Sequence, residues 1–381
     1  MFASGTAFVR DSWTDQSFEI GVFALVAVYL LVGIRTGKEK IAGGWTPWLV
    51  YLIPVWGLVQ IAAHTTSSQA DTREGLLRWA AYAGVFFLGQ VIGRGRQARR
   101  NLLTVLLVFS TAMAALCLMQ MFSSEGKVLW YFPTDFSVVF ATYVNYDAYA
   151  MLIELALPIA LWRGVTEGWR SWQYPLAAGL MYASVIGSAS RMGTALCTVE
   201  LLGLLAIGLV RMRDPETGLP TRSTASILLV IPVIAIAFTL TVGWQHVVQR
   251  FHDSDPYQVR REFLAAAVDM AKQRPAMGYG LGTFPEVYQR YAIRDFPFYA
   301  NHAHNDWAEF AADGGIPFLL LVLIPFAAAI PAALRHAWGI GLIAIMAHAC
   351  VDFPYPRVSV AGWLFLMLGL LYSARDQEAK E

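Results

Sequence analysis

Charged side chains are scarce in this sequence. Asp, Glu, Lys and Arg make up only 14% of its 381 residues, hydrophobic residues make up 57%, and the mean hydropathy is +0.49. This composition excludes an ordinary soluble domain and is typical of a polytopic membrane protein. The net charge of +1 also provides no strongly basic face, which argues against a nucleic-acid partner.

Cysteine is almost as scarce. Cys117, Cys197 and Cys350 lie far apart, within or beside apolar runs, and form no Cys-x-x-Cys pattern. We therefore expect neither a disulfide nor a structural zinc site. No repeat of fixed period is evident. No positively charged region precedes the first apolar run, so we expect that run to be a retained helix rather than a cleaved signal peptide.

Apolar runs, by contrast, are abundant. We count about eleven that reach the roughly 20 residues a helix needs to cross a bilayer, which predicts an all-α integral membrane protein. The runs begin near Phe18, Gly44, Leu76, Asn101, Ala148, Gln173, Met192, Ser226, Gly315, Trp338 and Ser359.

The positions of Lys and Arg predict the orientation, because these residues are enriched in short cytoplasmic loops. They place the N-terminus outside, the C-terminus inside and one large loop on the non-cytoplasmic face. The chain then divides into a transmembrane helix bundle at residues 1–243, a catalytic loop containing short helices at residues 244–313, and a C-terminal part at residues 314–381. The C-terminal part holds transmembrane helices and a short cytoplasmic tail.

The sequence of the large loop predicts a succession of turns and short helices. A turn at residues 253–256 precedes an amphipathic helix, which apolar residues at helical spacing predict from Val259 to Gln273. The glycines of residues 278–282 predict a turn rather than a dinucleotide site, since they follow a helix and a proline instead of a strand. A second short helix is expected near residues 285–292.

A polar cluster ends the loop, with His302, His304 and Asn305 directly before an apolar run. We expect a helix to begin at Asp306, with Glu309 three residues later in a capping arrangement, and to break at residues 314–315. The histidines alone fit a helix cap, a metal site or a catalytic base.

The metal alternative has two versions. Asp306 extends the histidines to a His-x-His-x-Asp pattern, and Asp253 with Asp255 resembles the carboxylate pair of nucleotide-sugar enzymes. The predicted external face, where nucleotide sugars are absent, and the nearby arginines argue against a metal. We therefore expect none.

Arginines are the candidate anion-binding residues. Arg191 interrupts apolar sequence, where a guanidinium is costly and normally has a partner or a task. It fits either a clamp for phosphate or a side chain reaching the interface between two spans. Arg260 and Arg261 are a second pair of positive charges. The sequence is compatible with anion binding by this pair and also with a solvated surface role.

Taken in order, these motifs resemble the O-antigen ligase and O-antigen polymerase family of bacterial membrane proteins. The resemblance covers roughly residues 140–375. It rests on the segment 142–158, on Ser190-Arg191-Met192-Gly193, on the stretch from Arg260 through Pro275, Gly278 and Gly280 to Phe284, on His304-Asn305-Asp306 with Gly314-Gly315, and on His348 to Pro354. Ala148 and Trp307-Ala308 depart from the family pattern, as do the span count and the external N-terminus.

The resemblance implies a metal-independent enzyme without a cofactor, in the bacterial inner membrane with its active site facing the periplasm. It would transfer a glycan, with inversion, from undecaprenyl pyrophosphate to a hydroxyl of a glycan, lipid or protein acceptor. His304 would be the general base, and Arg191 and Arg260 would bind the pyrophosphate. Arg261 would be the alternative to Arg260, and His302 and Asn305 would orient His304. Weaker candidates for substrate contact are Asn145, Asp147, His348 and Asp352.

Three functions stay open. The first is a ligase, and the second is a polymerase that joins lipid-linked repeats; sequence does not separate these two. The third, from another class, is a transporter or flippase of a lipid-linked anion. Transporters tend to carry charges near the bilayer midplane in repeated halves. Here the charges gather in one predicted external loop and no repeat is visible, which favours the enzyme.

Overall fold

The computed structural model describes residues 1–9, 12–36, 44–134, 138–167, 171–211, 230–237, 258–294 and 299–378. It is 77% helix, with almost no strand. Within the described ranges the strands are one short antiparallel pair, β1 (Lys127–Val128) and β2 (Phe132–Pro133). The helices are α1 (Phe2–Gly5), α2 (Trp13–Thr36), α3 (Thr46–Ala62), α4 (Gln69–Gly93), α5 (Arg96–Ser123), α6 (Tyr146–Thr166), α7 (Gln173–Ser188), α8 (Arg191–Arg211), α9 (230–237), α10 (Gln258–Gln273), α11 (Phe284–Tyr288), α12 (Asp306–Arg335), α13 (Ile340–His348) and α14 (Val358–Glu378), with a 3₁₀ turn at Ala337–Gly339 before α13.

Seven of the described helices are long and apolar enough to cross a membrane: α2, α4, α5, α6, α8, α12 and α14. Helix α3 and the segment Ala337–His348 are apolar but shorter. The helical, multi-pass class is therefore confirmed. The count of about eleven spans and the large external loop stay predictions, and the run expected near Ser226 lies mostly outside the described residues.

The chain forms two units, each with its own core. Unit 1 comprises Met1–Arg10, Arg99–Ser254 and Ala333–His348, and unit 2 comprises Asp11–Ala98, Asp255–Ala332 and Ala349–Glu381. Each unit is therefore assembled from segments that are distant in sequence. The predicted division at residues 243 and 313 stays a prediction.

Unit 1 is built around α6, which is apolar on nearly all sides and almost completely buried. A helix of this kind needs neighbours on every face, and α7, α8 and α13 pack against it. Two glycines allow the close approach. Gly341 lies against the backbone of Glu154, and Gly193 lies against the side chain of Ala150.

Unit 2 is built around the pair α4 and α14, whose backbones touch at Gly89 and Gly369. Any side chain at these glycines would collide with the facing helix. Aromatic rings fill the adjoining core, for example Trp79 and Tyr82 against Phe365, at centroid distances of 5.9 and 5.2 Å. Edge-to-face and stacked rings of this kind fix the helix register.

The described part of the loop follows the predicted order. Helix α10 spans Gln258–Gln273 and buries the side chains of Phe263 and Met270, so the amphipathic helix is confirmed. The glycines at 278, 280 and 282 all have positive φ, which confirms the turn. Helix α11 ends at Tyr288, several residues earlier than expected. The turn expected at residues 253–256 lies outside the described residues.

Helix α12 begins at Asp306, as expected, but its cap is one residue earlier than predicted. The Asn305 side chain accepts a hydrogen bond from the Ala308 amide at 2.9 Å, whereas Glu309 points back to the preceding segment. The predicted break is confirmed at Gly315, whose φ of 73° and ψ of 177° are not helical. Only glycine adopts that conformation readily.

Candidate active site

His304 stands in an unusual backbone conformation at the start of α12. Its φ of 52° is in the left-handed region, which non-glycine residues rarely adopt. Its Nδ1 atom lies 3.0 Å from Oδ1 of Asp352. The ring packs near Phe263 and Phe353, and about a quarter of the side chain stays exposed. His304 is therefore held rigidly yet remains accessible.

Asp352 is the partner that fixes the His304 ring, and its side chain is only 1% exposed. Burial alone would raise the pKa of the Asp352 carboxyl, but the hydrogen bond from His304 and the charges of Arg357, His304 and Arg260 hold that pKa well below its usual range. The carboxylate is thus ionised and accepts a hydrogen bond from Nδ1–H of His304. A neutral imidazole in this tautomer presents a lone pair at Nε2.

His302 forms a second histidine–carboxylate pair in the same segment. Its Nδ1 atom lies 2.8 Å from Oε1 of Glu309, and the other Glu309 oxygen accepts the Ala303 amide at 2.7 Å. The His302 ring stacks on Phe353 at 4.4 Å. Because Phe353 also contacts His304, His302 supports the wall against which the His304 ring rests.

The two loop arginines differ in exposure. Arg260 is half-buried, and its Nη1 atom donates to the carbonyl of Val351 at 3.0 Å, next to Asp352. Arg261 is exposed. A third cation, Arg357, lies 4.2 Å from the Phe353 ring centroid. The segment around Asp352 is therefore positively charged, which suits an anionic ligand.

Asn305 connects this segment to the rest of the site. Besides capping α12, it donates from Nδ2 to the carbonyl of Cys350 at 2.7 Å. The next residue, Asp306, accepts a hydrogen bond from the Tyr355 amide at 3.0 Å, and its own amide donates to the carbonyl of Ala349. Asn305 and Asp306 thus clamp residues 349–355 against the start of α12. The expected substrate contact of Asn305 stays a prediction.

The His-x-His-x-Asp pattern does not converge on one point. His302 binds Glu309, His304 binds Asp352, and Asp306 accepts from a backbone amide. Each of the three side chains is hydrogen-bonded to a different partner. This arrangement suits proton transfer better than the binding of one metal ion by all three. The other carboxylate pair considered for metal, Asp253 and Asp255, lies outside the described residues.

In unit 1, Arg191 is the first residue of α8 and is partly exposed. The preceding helix ends at Ala189 in the left-handed conformation, with φ 56°. Ser190 then caps α8, since its hydroxyl accepts the Gly193 amide at 3.1 Å and donates to Asp147 at 2.6 Å. A helix N-terminus attracts anions, so an arginine there is compatible with phosphate binding.

The other unit 1 candidates have identifiable structural contacts. Asn145 caps α6 by accepting the Ala148 amide at 2.8 Å. Asp147 is 4% exposed and holds Ser190, and His348 is fully buried with Nδ1 2.7 Å from Oε1 of Glu154. Their expected contacts with substrate stay predictions.

The roles of two carboxylates are not evident from the sequence. The resemblance includes Asp352 only as a weaker candidate, and the spacing of Asp306 and Glu309 predicts a helix cap rather than a partner for His302. The available signal for Asp352 was its place beside Phe353 in the last motif. For Glu309 it was the spacing of seven residues from His302, which a helix start folds into contact.

Several candidate spans make this a multi-pass membrane protein, and comparison with known families indicates an enzyme of glycosyltransferase type. Residues 176–323 match the family described as O-antigen ligase, a segment that contains Arg191, Arg260 and His304. The resemblance to the O-antigen ligase family is therefore confirmed over this domain. The chain matches no curated protein.

Proposed function

We propose that this protein transfers a glycan from undecaprenyl pyrophosphate to an acceptor hydroxyl at the periplasmic face of the bacterial inner membrane. The contact between His304 and Asp352 carries the proposal. The ionised Asp352 carboxylate accepts a hydrogen bond from Nδ1–H of His304, which leaves Nε2 available as a base. The same carboxylate stabilises the imidazolium once Nε2 has taken a proton. The family match supports the reaction class.

The reaction is a single displacement. The acceptor oxygen attacks the anomeric carbon as His304 Nε2 takes its proton, and the bond from that carbon to the pyrophosphate oxygen breaks. The configuration at the anomeric carbon inverts. The lipid pyrophosphate departs with the electron pair, so the donor is already activated and neither a metal nor a nucleotide cofactor is needed.

The arginines contribute electrostatically. Arg260 supplies a guanidinium next to the His304–Asp352 pair, and fixed positive charge stabilises the charge that develops on the departing pyrophosphate. For Arg191 the role of a second phosphate contact comes from the family motif and from its place at the start of α8. Membrane lipids surround the apolar helices and present the lipid-linked donor.

The test uses purified protein reconstituted with a synthetic undecaprenyl-pyrophosphate glycan. We expect His304→Gln to abolish transfer, and Asp352→Asn to lower kcat by about 10²- to 10⁴-fold, because the amide no longer selects the Nδ1–H tautomer. Asp352→Glu should restore part of the rate. Normal transfer by His304→Gln would disprove the general-base assignment.

Three possible outcomes of the same assay, carried out in vesicles with different acceptors, separate the alternatives. Product on a lipid or protein acceptor indicates a ligase, whereas lengthening of the lipid-linked glycan itself indicates a polymerase. Movement of the donor across vesicles without any new glycosidic bond would instead indicate a transporter. A chelator added in parallel should leave the rate unchanged.

A further inference from the structure

Three ionisable side chains are buried within the helices of unit 1, away from the residues used above for transfer. They are Glu154 on α6, Glu200 on α8 and His348 at the end of α13. Glu154 and His348 are fully buried, and Glu200 is 4% exposed. Each glutamate lies roughly 12 to 14 Å along its helix, at 1.5 Å per residue, and thus near the middle of a candidate span. Ionisable groups at that depth are costly and usually functional.

The contacts satisfy only part of this cluster. His348 Nδ1 lies 2.7 Å from Oε1 of Glu154. Within the described part of the chain, Oε2 of Glu154 and both carboxyl oxygens of Glu200 have no hydrogen-bond partner. Glu200 is also close enough to Glu154 for the two carboxyls to repel each other when both are charged. Burying an ionised carboxylate without a hydrogen-bond partner is strongly unfavourable, because the charge loses its hydration and gains nothing in exchange.

Glu154, Glu200 and His348 do not balance one another's charge when both carboxyls are ionised. Two ionised carboxyls beside one protonated imidazole leave a net charge of −1, and beside a neutral imidazole they leave −2. Within the described part of unit 1, the neighbouring groups Cys197 and Asp147 are a thiol and an acid, and neither supplies a positive charge. Neighbouring carboxyls in a dry site usually resolve this conflict by retaining a proton.

We propose that Glu154, Glu200 and His348 form a buried proton-binding site, in which one of the two carboxyls is kept as the neutral acid. His348 holds Glu154 in place through Nδ1, so the proton resides on Glu200, whose two carboxyl oxygens have no hydrogen-bond partner among the described residues. With His348 protonated, one further proton on a carboxyl brings the net charge of the three groups to zero, so the site balances its charge with a proton and needs no metal ion.

This site has a route toward the N-terminal end of α8. The ligand atoms of Asp147 and His348 lie within 4.8 Å of each other, a gap that one water spans. Asp147 in turn accepts the hydroxyl of Ser190 at 2.6 Å, directly before Arg191. The chain of groups therefore allows exchange of the buried proton with the segment that carries Arg191.

Infrared spectroscopy of the purified protein tests the proposal without any substrate, so its outcome is independent of the transferase assay. A protonated carboxyl has a carbonyl stretch that a carboxylate lacks. At neutral pH we expect the wild type to show this band, Glu200→Gln to lose it, and Glu154→Gln or His348→Gln to shift its frequency. The matched control is Glu286→Gln, an exposed glutamate on α11, which should leave the band unchanged.

Other buried carboxyls can absorb in the same region, so the assignment uses the difference between wild type and variant. If a variant does not fold, wild-type protein grown with isotope-labelled glutamate supplies the same information, because only a glutamic acid band shifts. A difference spectrum with no acid band for either glutamate would overturn the proposal. A band that decreases when sodium is added at constant pH would also overturn it, in favour of a metal-ion site.

Discussion

At the residue scale, the two histidines of the 302–304 segment have similar partners but different surroundings. Each contacts a buried carboxylate through Nδ1. His304 is distinguished by its left-handed backbone and by the arginines that act on its carboxylate. His302 rests flat on Phe353, where its ring is used for packing. The difference supports His304 as the base and His302 as the residue that positions the Phe353 ring beside it.

Adjacent arginines on α10 give a matched pair for testing the anion-binding role. Arg260→Ala removes a half-buried guanidinium beside Asp352, and we expect kcat/KM to fall about thirtyfold, equivalent to about 2 kcal/mol for a charged hydrogen bond. Arg261→Ala, on the exposed side of the same helix, should stay within about threefold of the wild type. The reverse ranking in the transfer assay would assign the phosphate contact to Arg261.

At the element scale, the start and the break of α12 determine where the polar cluster lies. Asn305 and Asp306 fasten the helix start to residues 349–355. At the break, the Ile316 amide donates to the carbonyl of Pro275 at 2.8 Å, which joins α12 to the turn after α10. Both fastenings belong to unit 2, and together they hold α10 and residues 349–355 around His304.

Gly315→Ala should therefore destabilise the protein. A side chain at residue 315 would lie 2.7 Å from the backbone of Pro275 and Ala276, and the backbone there has φ 73°. We expect a loss of about 2 to 3 kcal/mol of unfolding free energy, seen as a lower thermal midpoint in detergent. Gly203→Ala in α8 is the control, since nothing lies within 4 Å of its added carbon. An equal midpoint for both variants would contradict this account of the kink.

At the scale of the whole molecule, local signals were readable from sequence and pairings were not. The α10 periodicity, the glycine turn and the break at residue 315 each follow from a few neighbouring residues. The contact between His304 and Asp352 joins positions 48 apart, and that between Glu154 and His348 joins positions 194 apart. Such contacts depend on which apolar helices pack together, and helices with apolar residues on most sides carry little information about their neighbours.

Orientation in the membrane is the whole-molecule prediction that the native cysteines can test. Cys350 is exposed, whereas Cys117 and Cys197 are buried. Cys350 lies two residues from Asp352, and its carbonyl accepts from Asn305, so it shares the face of the proposed active site. A membrane-impermeant maleimide should label intact spheroplasts of the wild type and fail to label sealed inside-out vesicles.

The controls for that experiment follow from the same burial pattern. Cys350→Ser should abolish labelling in both preparations, because the two remaining thiols are buried. Permeabilised membranes should be labelled in the wild type whichever way the protein is inserted, which verifies that the thiol is reactive. Labelling of the inside-out vesicles instead would place the His304 segment in the cytoplasm. A periplasmic acceptor and a lipid-linked periplasmic donor would then be excluded together, whatever the contact between His304 and Asp352 could catalyse.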